Sequence, residues 1–433
     1  MTEQLHLPLF EKIAVTPSDL KISRSGTFVD NMALPVHRWF RYSAGFSAEW
    51  VEQLLKDWKL NSDHLILDPF AGSGTVSIAC EKLGLTSVGV EAHPVVARIC
   101  QAKLYWPTSP EQFAELAERI SYDARHMKRE SLEHSTLIQR SFEPEPLAYL
   151  DALKSAWHLN NDQSPASELV WLAITAILRS CSKSGTAQWQ YILPNKTKKK
   201  VLDPKIAFQQ QIKMMIFDMK WMQLQASQPR ATLIVGDARN LSEALDKKVD
   251  AVITSPPYAN NYDYADALRF EMTFWGEVNG WGDLHDKVRK YLIVSSSQHS
   301  SKEKLSADGL LLSPILEPIR PELTKVVNRL AITRESHGGK KHYHTMVAAY
   351  CRDIALVLRE LRSVCRPGSR MCWVIGDSAP YGVYCPIDTW IGELALAQGF
   401  VSYRFEKLRD RNTKWKNRKH RIPLKEGLLW IEG

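Results

Sequence analysis

The sequence lacks the cysteine pattern of a disulfide-framed or zinc-stapled protein. Its seven cysteines, at 80, 100, 181, 351, 365, 372 and 385, are odd in number, scattered along 433 residues and without any C-x-x-C pair. They read as buried thiols in a reducing compartment. A membrane-spanning run is also missing: the longest apolar stretch, near Leu169–Leu178, is shorter than the ~20 residues that cross a bilayer. The opening Met-Thr-Glu-Gln-Leu-His lacks the basic-then-apolar layout of a signal peptide, so a cytoplasmic location and no membrane partner are expected. There is no internal repeat. His337, His342 and His344 have no acid or cysteine at ligand spacing, and no metal is expected.

What is present begins with size and charge. A chain of 433 residues with 44% hydrophobic content buries a large core, enough for one main domain with substantial insertions. The net charge is +8 and the pI about 9.0, which suits a polyanionic partner. Most of the excess is local. Between Lys407 and Arg421 eight Lys or Arg stand against one acid, Asp410, a net +7. A solvated hairpin face accounts for such a run, but Trp415 in its middle and the density of charge favour phosphate contact through Lys414, Trp415, Lys416, Arg418, Lys419 and Arg421. Lys340 and Lys341 are candidates for the same role.

Two motifs carry chemistry. Asp250-Ala-Val-Ile-Thr-Ser-Pro-Pro-Tyr258 reads as a short buried strand that stops at Ser255-Pro256-Pro257. Neither proline has an N–H, and each fixes its own φ and pushes the preceding residue out of helical space. Oxygens therefore stand out rigidly at a strand end, with the ring of Tyr258 beside them, an arrangement suited to a planar ring bearing an amino group. An ordinary Pro-rich turn is the plain alternative.

Upstream, Leu65-Ile-Leu-Asp68-Pro-Phe70-Ala-Gly72-Ser-Gly74-Thr75 reads as a strand entering a glycine turn. A helical pattern follows, with Val76, Ala79, Cys80 and Leu83 on one face. Glycines at 72 and 74 let the backbone approach a ligand. Ser87-Val-Gly-Val-Glu91 is a second strand whose carboxylate falls 19 residues beyond Gly72, the place for an acid that holds ribose hydroxyls. Ser77 stands where the third glycine of G-x-G-x-x-G belongs, which disfavours a dinucleotide.

D-P-F-A-G-S-G-T, V-G-V-E and T-S-P-P-Y together resemble the S-adenosylmethionine-dependent DNA amino-methyltransferases, which methylate the exocyclic nitrogen of cytosine or adenine. The likeness extends to His37–Ser47, to Ala231-Thr-Leu-Ile-Val-Gly-Asp237 and to Cys365–Asp377. It implies a doubly wound, mainly parallel seven-stranded sheet of Rossmann-like α/β type with a large helical insertion. It also implies S-adenosylmethionine as cofactor, double-stranded DNA as partner, and a separate restriction endonuclease acting on the same site in a restriction-modification setting. On this resemblance Asp68 takes the methionine amino group, Phe70, Gly72 and Gly74 form a floor, and Thr75 caps the next helix. Glu91 holds the ribose and Asp237 the adenine amine; Phe46 and Ser47 close over the cofactor. The Ser255 hydroxyl and the Pro256 carbonyl face the target amine, and Tyr258 stacks on the base. Serine at the head of the four-residue motif goes more often with cytosine N4. Adenine N6, an RNA amino-methyltransferase and a non-catalytic DNA-binding subunit remain as alternatives.

The expected organisation is an N-terminal arm (1–35), a methyltransferase domain (36–100 and 231–433), a helical insertion (101–230) and a target-recognition insertion (283–342). Helical spacing marks 110–130, 145–158, 166–182 and 205–225, more than a crossover between two strands requires. A long helix over Tyr343–Leu361 ends at Arg366-Pro-Gly368, followed by a strand at Met371–Ile375, a helix at Ile387–Gln398 and strands at Val401–Leu408 and Gly427–Ile431. Basic 407–421 together with 283–342 is assigned to DNA, and 101–230 to cover and shape.

Overall fold

Residues 29–127, 133–187, 191–225, 231–260, 262–302, 305–338, 341–411 and 422–433 are described by a computed structural model. Nine strands occur among them: β1 (Leu65–Asp68), β2 (Thr86–Glu91), β3 (Ser184–Thr186), β4 (Ile192–Thr197), β5 (Ala231–Val235), β6 (Val249–Thr254), β7 (Cys365–Gly376), β8 (Ser402–Arg411) and β9 (Leu424–Glu432). β3 and β4 form a separate hairpin; the other seven make one sheet in the order β5-β2-β1-β6-β7-β9-β8. Pairing is parallel from β5 through β7, and β9 runs antiparallel to both of its neighbours. The fold is thus the doubly wound, mainly parallel sheet expected. The reversed strand lies one place in from the edge, with β8 outermost.

Apolar residues run continuously in these strands and point alternately to the two faces, because both faces are covered. Ile66, Ala251, Ile253, Cys372 and Val374 pack with Val51, Leu55, Val76 and Ala79 from the helices Ala48–Asp57 and Thr75–Lys82. Leu67, Val252, Met371, Trp373 and Ile375 face the opposite layer, built on the helices Tyr343–Val364 and Ile387–Ala397. β7 begins earlier than Met371. Cys365 already pairs with Val249 across a register shift, because Arg366-Pro-Gly368 continues as extended chain with Gly368 at φ +76°.

The strand order reverses between β1 and β6, and their seam is fastened at both ends. The Asp250 carboxylate accepts the Leu65 N–H at 2.8 Å where the strands start, and the Thr254 hydroxyl donates to Asp68 at 2.6 Å where they stop.

Between β2 and β5 the chain builds the helices Pro110–His126, Thr136–Ser141, Pro144–Asn160, Pro165–Cys181 and Pro204–Gln225. Four of them begin with proline, whose missing N–H costs nothing at a helix start. They share one apolar core with the helix Pro94–Leu104 and with Trp39 and Tyr42. The β3–β4 hairpin in this region was not apparent from the sequence pattern. Between β6 and β7, a helix runs over Arg320–Glu335. No helix among the described residues is long and apolar enough to cross a membrane.

Asp218, wholly buried in the helix Pro204–Gln225, ties this region to the N-terminal segment. It accepts the Val36 N–H at 3.1 Å, Arg38 Nε at 3.0 Å and Trp39 Nε1 at 2.9 Å. Removing one member of a buried ion pair strands the other charge and costs about 3–5 kcal/mol. Asp218→Ala is expected to lower the denaturant midpoint by that order, whereas Asp218→Asn, which keeps an acceptor, loses less; equal midpoints for Asp218→Ala and the unaltered chain would refute the tie.

Candidate functional site

β1 delivers Asp68 to the C-terminal edge of the sheet, and the glycine turn follows at once. Gly72 adopts φ +54°, and a Cβ there would stand 3.1 Å from Tyr42 Cε1. Gly74 adopts φ +86°, and a Cβ would meet Cys100 Sγ at 2.8 Å, so both positions exclude side chains. Gly74 is itself the N-cap of the helix Thr75–Lys82. The expectation that Thr75 caps this helix is therefore corrected. Thr75 is its first helical residue and is buried, because the left-handed turn at Gly74 already starts the helix.

The turn opens onto one cavity, whose walls come from six places in the chain. They are Tyr42 to Phe46, the Pro69–Thr75 turn, Glu91 to His93, Asp237 with Ala238, and Ser255, Pro257, Tyr264 and Tyr291 to Ile293. The structure thus brings Phe46, Phe70, Gly72, Thr75, Glu91, Asp237, Ser255 and Pro257 together. Ser47 lies outside the cavity walls; its side chain accepts the Trp50 N–H and caps the helix Ala48–Asp57. Asp68, Gly74, Pro256 and Tyr258 stand behind the walls.

The electrostatics of the floor are set by two carboxyls. Asp68 is buried and accepts the Thr254 hydroxyl and the Phe70 N–H at 3.1 Å. Glu91 accepts the Gly72 N–H at 2.9 Å and the His93 N–H at 2.8 Å, which locks the glycine turn to the end of β2. Burial pushes each carboxyl up to about 7, against the lowering effect of these hydrogen bonds. His93 is buried too. Its Nδ1 accepts the Val96 N–H at 3.4 Å, its Nε2 has no partner, and burial drops the imidazole to about 4. The neutral ring with Nδ1 accepting carries its proton on Nε2, so an unspent donor is left at the cavity wall.

Asp237 reaches the cavity, but its carboxylate is already engaged. Arg239, two residues on, donates from Nη2 at 2.6 Å and from its own backbone N–H at 2.9 Å. Arg239 also meets buried Asp353 at 3.2 Å, and Asp353 accepts the Val294 N–H at 3.1 Å, which positions the Tyr291–Ile293 wall.

At the end of β6 the Ser255 hydroxyl donates to the Val374 carbonyl of β7 at 3.1 Å. Its one proton is spent inside the sheet, and its oxygen has lone pairs left to offer. The Tyr258 ring is buried, with the Arg411 guanidinium 4.9 Å from its centroid. The Tyr258 N–H donates to the Tyr264 hydroxyl at 3.1 Å, and the Tyr264 ring lies 4.0 Å from that of Tyr262.

Between these tyrosines, Asp263 joins both inserted regions. Its carboxylate accepts Arg289 Nη2 at 2.6 Å and Nε at 2.9 Å, and its N–H donates to the Tyr191 hydroxyl at 2.7 Å.

Tyr42, His93 and Tyr291–Ile293 were not assigned to the site from the sequence. Proximity to the glycine loop and to Glu91 was the available signal for the first two; the last has none. Of the DNA-contact candidates, Lys414, Trp415, Lys416, Arg418, Lys419, Arg421 and Lys340 lie outside the described residues. Lys341 is exposed and its N–H donates to the Tyr381 hydroxyl at 2.8 Å.

The N6/N4 family model described as DNA methylase matches residues 21–102. The Type II methyltransferase M.BsoBI of Geobacillus stearothermophilus is 26% identical over 414 residues, covering 87% of this chain and 81% of that protein. The Type II methyltransferase M.AvaI of Nostoc sp. is 26% identical over 406 residues, covering 86% and 81%. Among solved structures, the rRNA methyltransferase aviRa from Streptomyces viridochromogenes aligns with a TM-score of 0.26 and 11% identity, over 90% of this chain and 85% of that one.

The raised carboxyls give a pH signature with a definite sign. From about pH 4 to about 7, Asp68 and Glu91 hold a proton in the folded chain that the unfolded chain has released. The folded state binds more protons there, so these groups make stability fall as pH rises through that window and level off above it. Asp68→Asn is expected to flatten part of this decline in melting temperature between pH 5 and 8. An identical slope in variant and unaltered chain would show that Asp68 is ionised throughout.

Proposed function

We propose that this chain, which belongs to the DNA amino-methyltransferase family, transfers a methyl group from S-adenosylmethionine to the N4 amine of a cytosine flipped out of duplex DNA. The observation that carries this reading is that the glycine turn after β1 and the Ser255-Pro-Pro turn after β6 open onto the same cavity. One turn suits a nucleoside-bearing donor and the other an amino-bearing ring.

The cavity has features that such a donor requires. The glycine turn brings bare backbone to its wall, Glu91 places an acid there with Asp68 behind it, and His93 holds an unpaired Nε2. In this reading Asp68, from behind the wall, would hold the methionine ammonium, Phe70 and Gly72 would form the floor with Gly74 supporting the turn beneath it, Glu91 would hold the ribose, and Phe46 would close the far side. Asp237 receives the adenine amine only if Arg239 yields part of its hold. Bound there, the donor supplies a methyl group already activated on a sulfonium.

The chain's own contribution is positioning and charge stabilisation. An exocyclic amine is a poor nucleophile because its lone pair is delocalised into the ring. The Ser255 oxygen, its proton committed to Val374, and the Pro256 carbonyl accept the two amine N–H bonds and localise that pair. Two prolines leave little to reorganise as charge develops. Holding amine and methyl in line supplies much of the remaining rate. Tyr258 stacks on the base once Arg411 moves off its ring, and the target leaves the duplex to reach the pocket. The basic 407–421 segment and Lys340–Lys341 contact the phosphates.

Cytosine rather than adenine rests on serine at position 255, by the family tendency. A restriction-modification setting, with a separate endonuclease acting on the same site and a cytoplasmic location, belongs to the same reading; the Type II names of M.BsoBI and M.AvaI support the setting.

Ser255→Ala is expected to reduce methyl transfer by about 10²–10³-fold while calorimetric binding of S-adenosylmethionine persists, and Tyr258→Ala to follow the same split. Asp68→Ala is expected to lose donor binding itself. Turnover within a few-fold of the unaltered chain in Ser255→Ala would make the assignment of the target pocket wrong.

A further inference from the structure

The region between β2 and β5 does more than cover the sheet. Its β3–β4 hairpin leads into Lys196-Thr-Lys198-Lys199-Lys200, four lysines in five residues. Lys196, Lys199 and Lys200 are exposed. Lys198 is half-buried, with its Nζ held on the Arg179 carbonyl. A free solvated run would not hold one of its members inward in this way.

Behind the hairpin lies a second pocket whose charged walls are Arg41, Arg179, Lys198 and Glu271. Glu271 is wholly buried and already gripped by Arg179, whose Nη2 donates to it at 2.8 Å. Three cations around one concavity against one committed acid make a positive site that an anion relieves. The chain from Phe40 to Phe46 is its common wall with the donor cavity: Phe40, Arg41 and Ser43 line this pocket, and Tyr42 and Ala44 to Phe46 line the other. The hairpin is also bonded to the base-side loop. The Tyr191 hydroxyl accepts the Asp263 N–H, Asp263 is held by Arg289, and the adjoining Tyr264 hydroxyl accepts the Tyr258 N–H.

We propose that the β3–β4 hairpin and the pocket behind it grip the DNA phosphate backbone next to the flipped base, and that Tyr191 fastens this grip to the loop that shapes the base pocket. The inference rests on the reading of this chain as a DNA methyltransferase. The source of the phosphate is a polymer, not a free anion, because the three exposed lysines extend the positive surface beyond the pocket, along a track of successive phosphates. Lysine contacts of this kind position the duplex and carry no base information.

The test uses the full chain and a fluorescent duplex of random sequence, with Lys196, Lys199 and Lys200 changed together to Ala. These side chains are exposed, so the melting temperature should hold and serves as the folding control. The slope of log affinity against log salt is expected to fall by about 2–3, since each lost phosphate contact removes about 0.9, and affinity at moderate salt to drop by about tenfold or more. Tyr191→Phe should leave that slope in place but slow single-turnover methyl transfer by about five- to tenfold, the effect of losing one hydrogen bond. An unmoved salt slope in the triple variant overturns the grip, and an unmoved transfer rate in Tyr191→Phe overturns the fastening. Labelled methyl transfer by the unaltered chain is scored in parallel. Absence of label in DNA there defeats the functional reading, whereas label with an unmoved slope defeats only this inference.

Discussion

The C-terminal ends of β1 and β6 lie side by side, and the sheet grows away from them in opposite directions, through β2 and β5 on one side and β7 on the other. A crevice opens at such a reversal because the helices that follow the two strands pack on opposite faces. Here the seam is pinned at the edge of that crevice by the Thr254–Asp68 hydrogen bond, between residues 186 apart in sequence. The glycine turn and the Ser-Pro-Pro turn each begin at one member of this pair. Their relative position is therefore as rigid as the sheet, although neither turn has regular structure of its own. The Ser255 hydroxyl adds a further tie by donating to Val374 on the next strand.

Around this centre, buried carboxylates fasten the surrounding walls. Asp218 holds the segment that leads to Tyr42, Asp353 holds the Tyr291–Ile293 wall through Val294 and Arg239, and Asp263 holds the loop after Tyr258. Each accepts backbone amides or cations from distant segments, which satisfies a charge that would otherwise be costly to bury. The inserted regions thus connect to the chemistry through a few directional contacts rather than through apolar packing alone. Asp263 is where the two of them meet.

The sheet and both turns were legible in the sequence because their signals are local. Apolar runs with alternation mark the strands, glycines at 72 and 74 mark a turn, and the prolines at 256 and 257 end a strand. Contacts set by tertiary approach were not legible. Nothing near Tyr191 points to Asp263, 72 residues on, and nothing near Val36 points to Asp218. Thr75 was misread as a cap because a hydroxyl before an apolar run suggests one, whereas the positive φ at Gly74 had already started the helix. Asp237 was visible as an acid at a strand end, but not as the partner of Arg239. The Arg411 guanidinium over Tyr258 joins two segments whose proximity follows only from β8 lying two strands from β7.

The central claim is that the two turns at the reversal bring a methyl donor and a base amine together. Its most direct test is incubation of the full chain with methyl-labelled S-adenosylmethionine and unmethylated duplex DNA, followed by digestion to nucleosides and mass analysis. The account predicts label in N4-methylcytosine. Label in N6-methyladenine would contradict the choice of base while keeping the pocket, and label confined to RNA or absent altogether would contradict the claim itself.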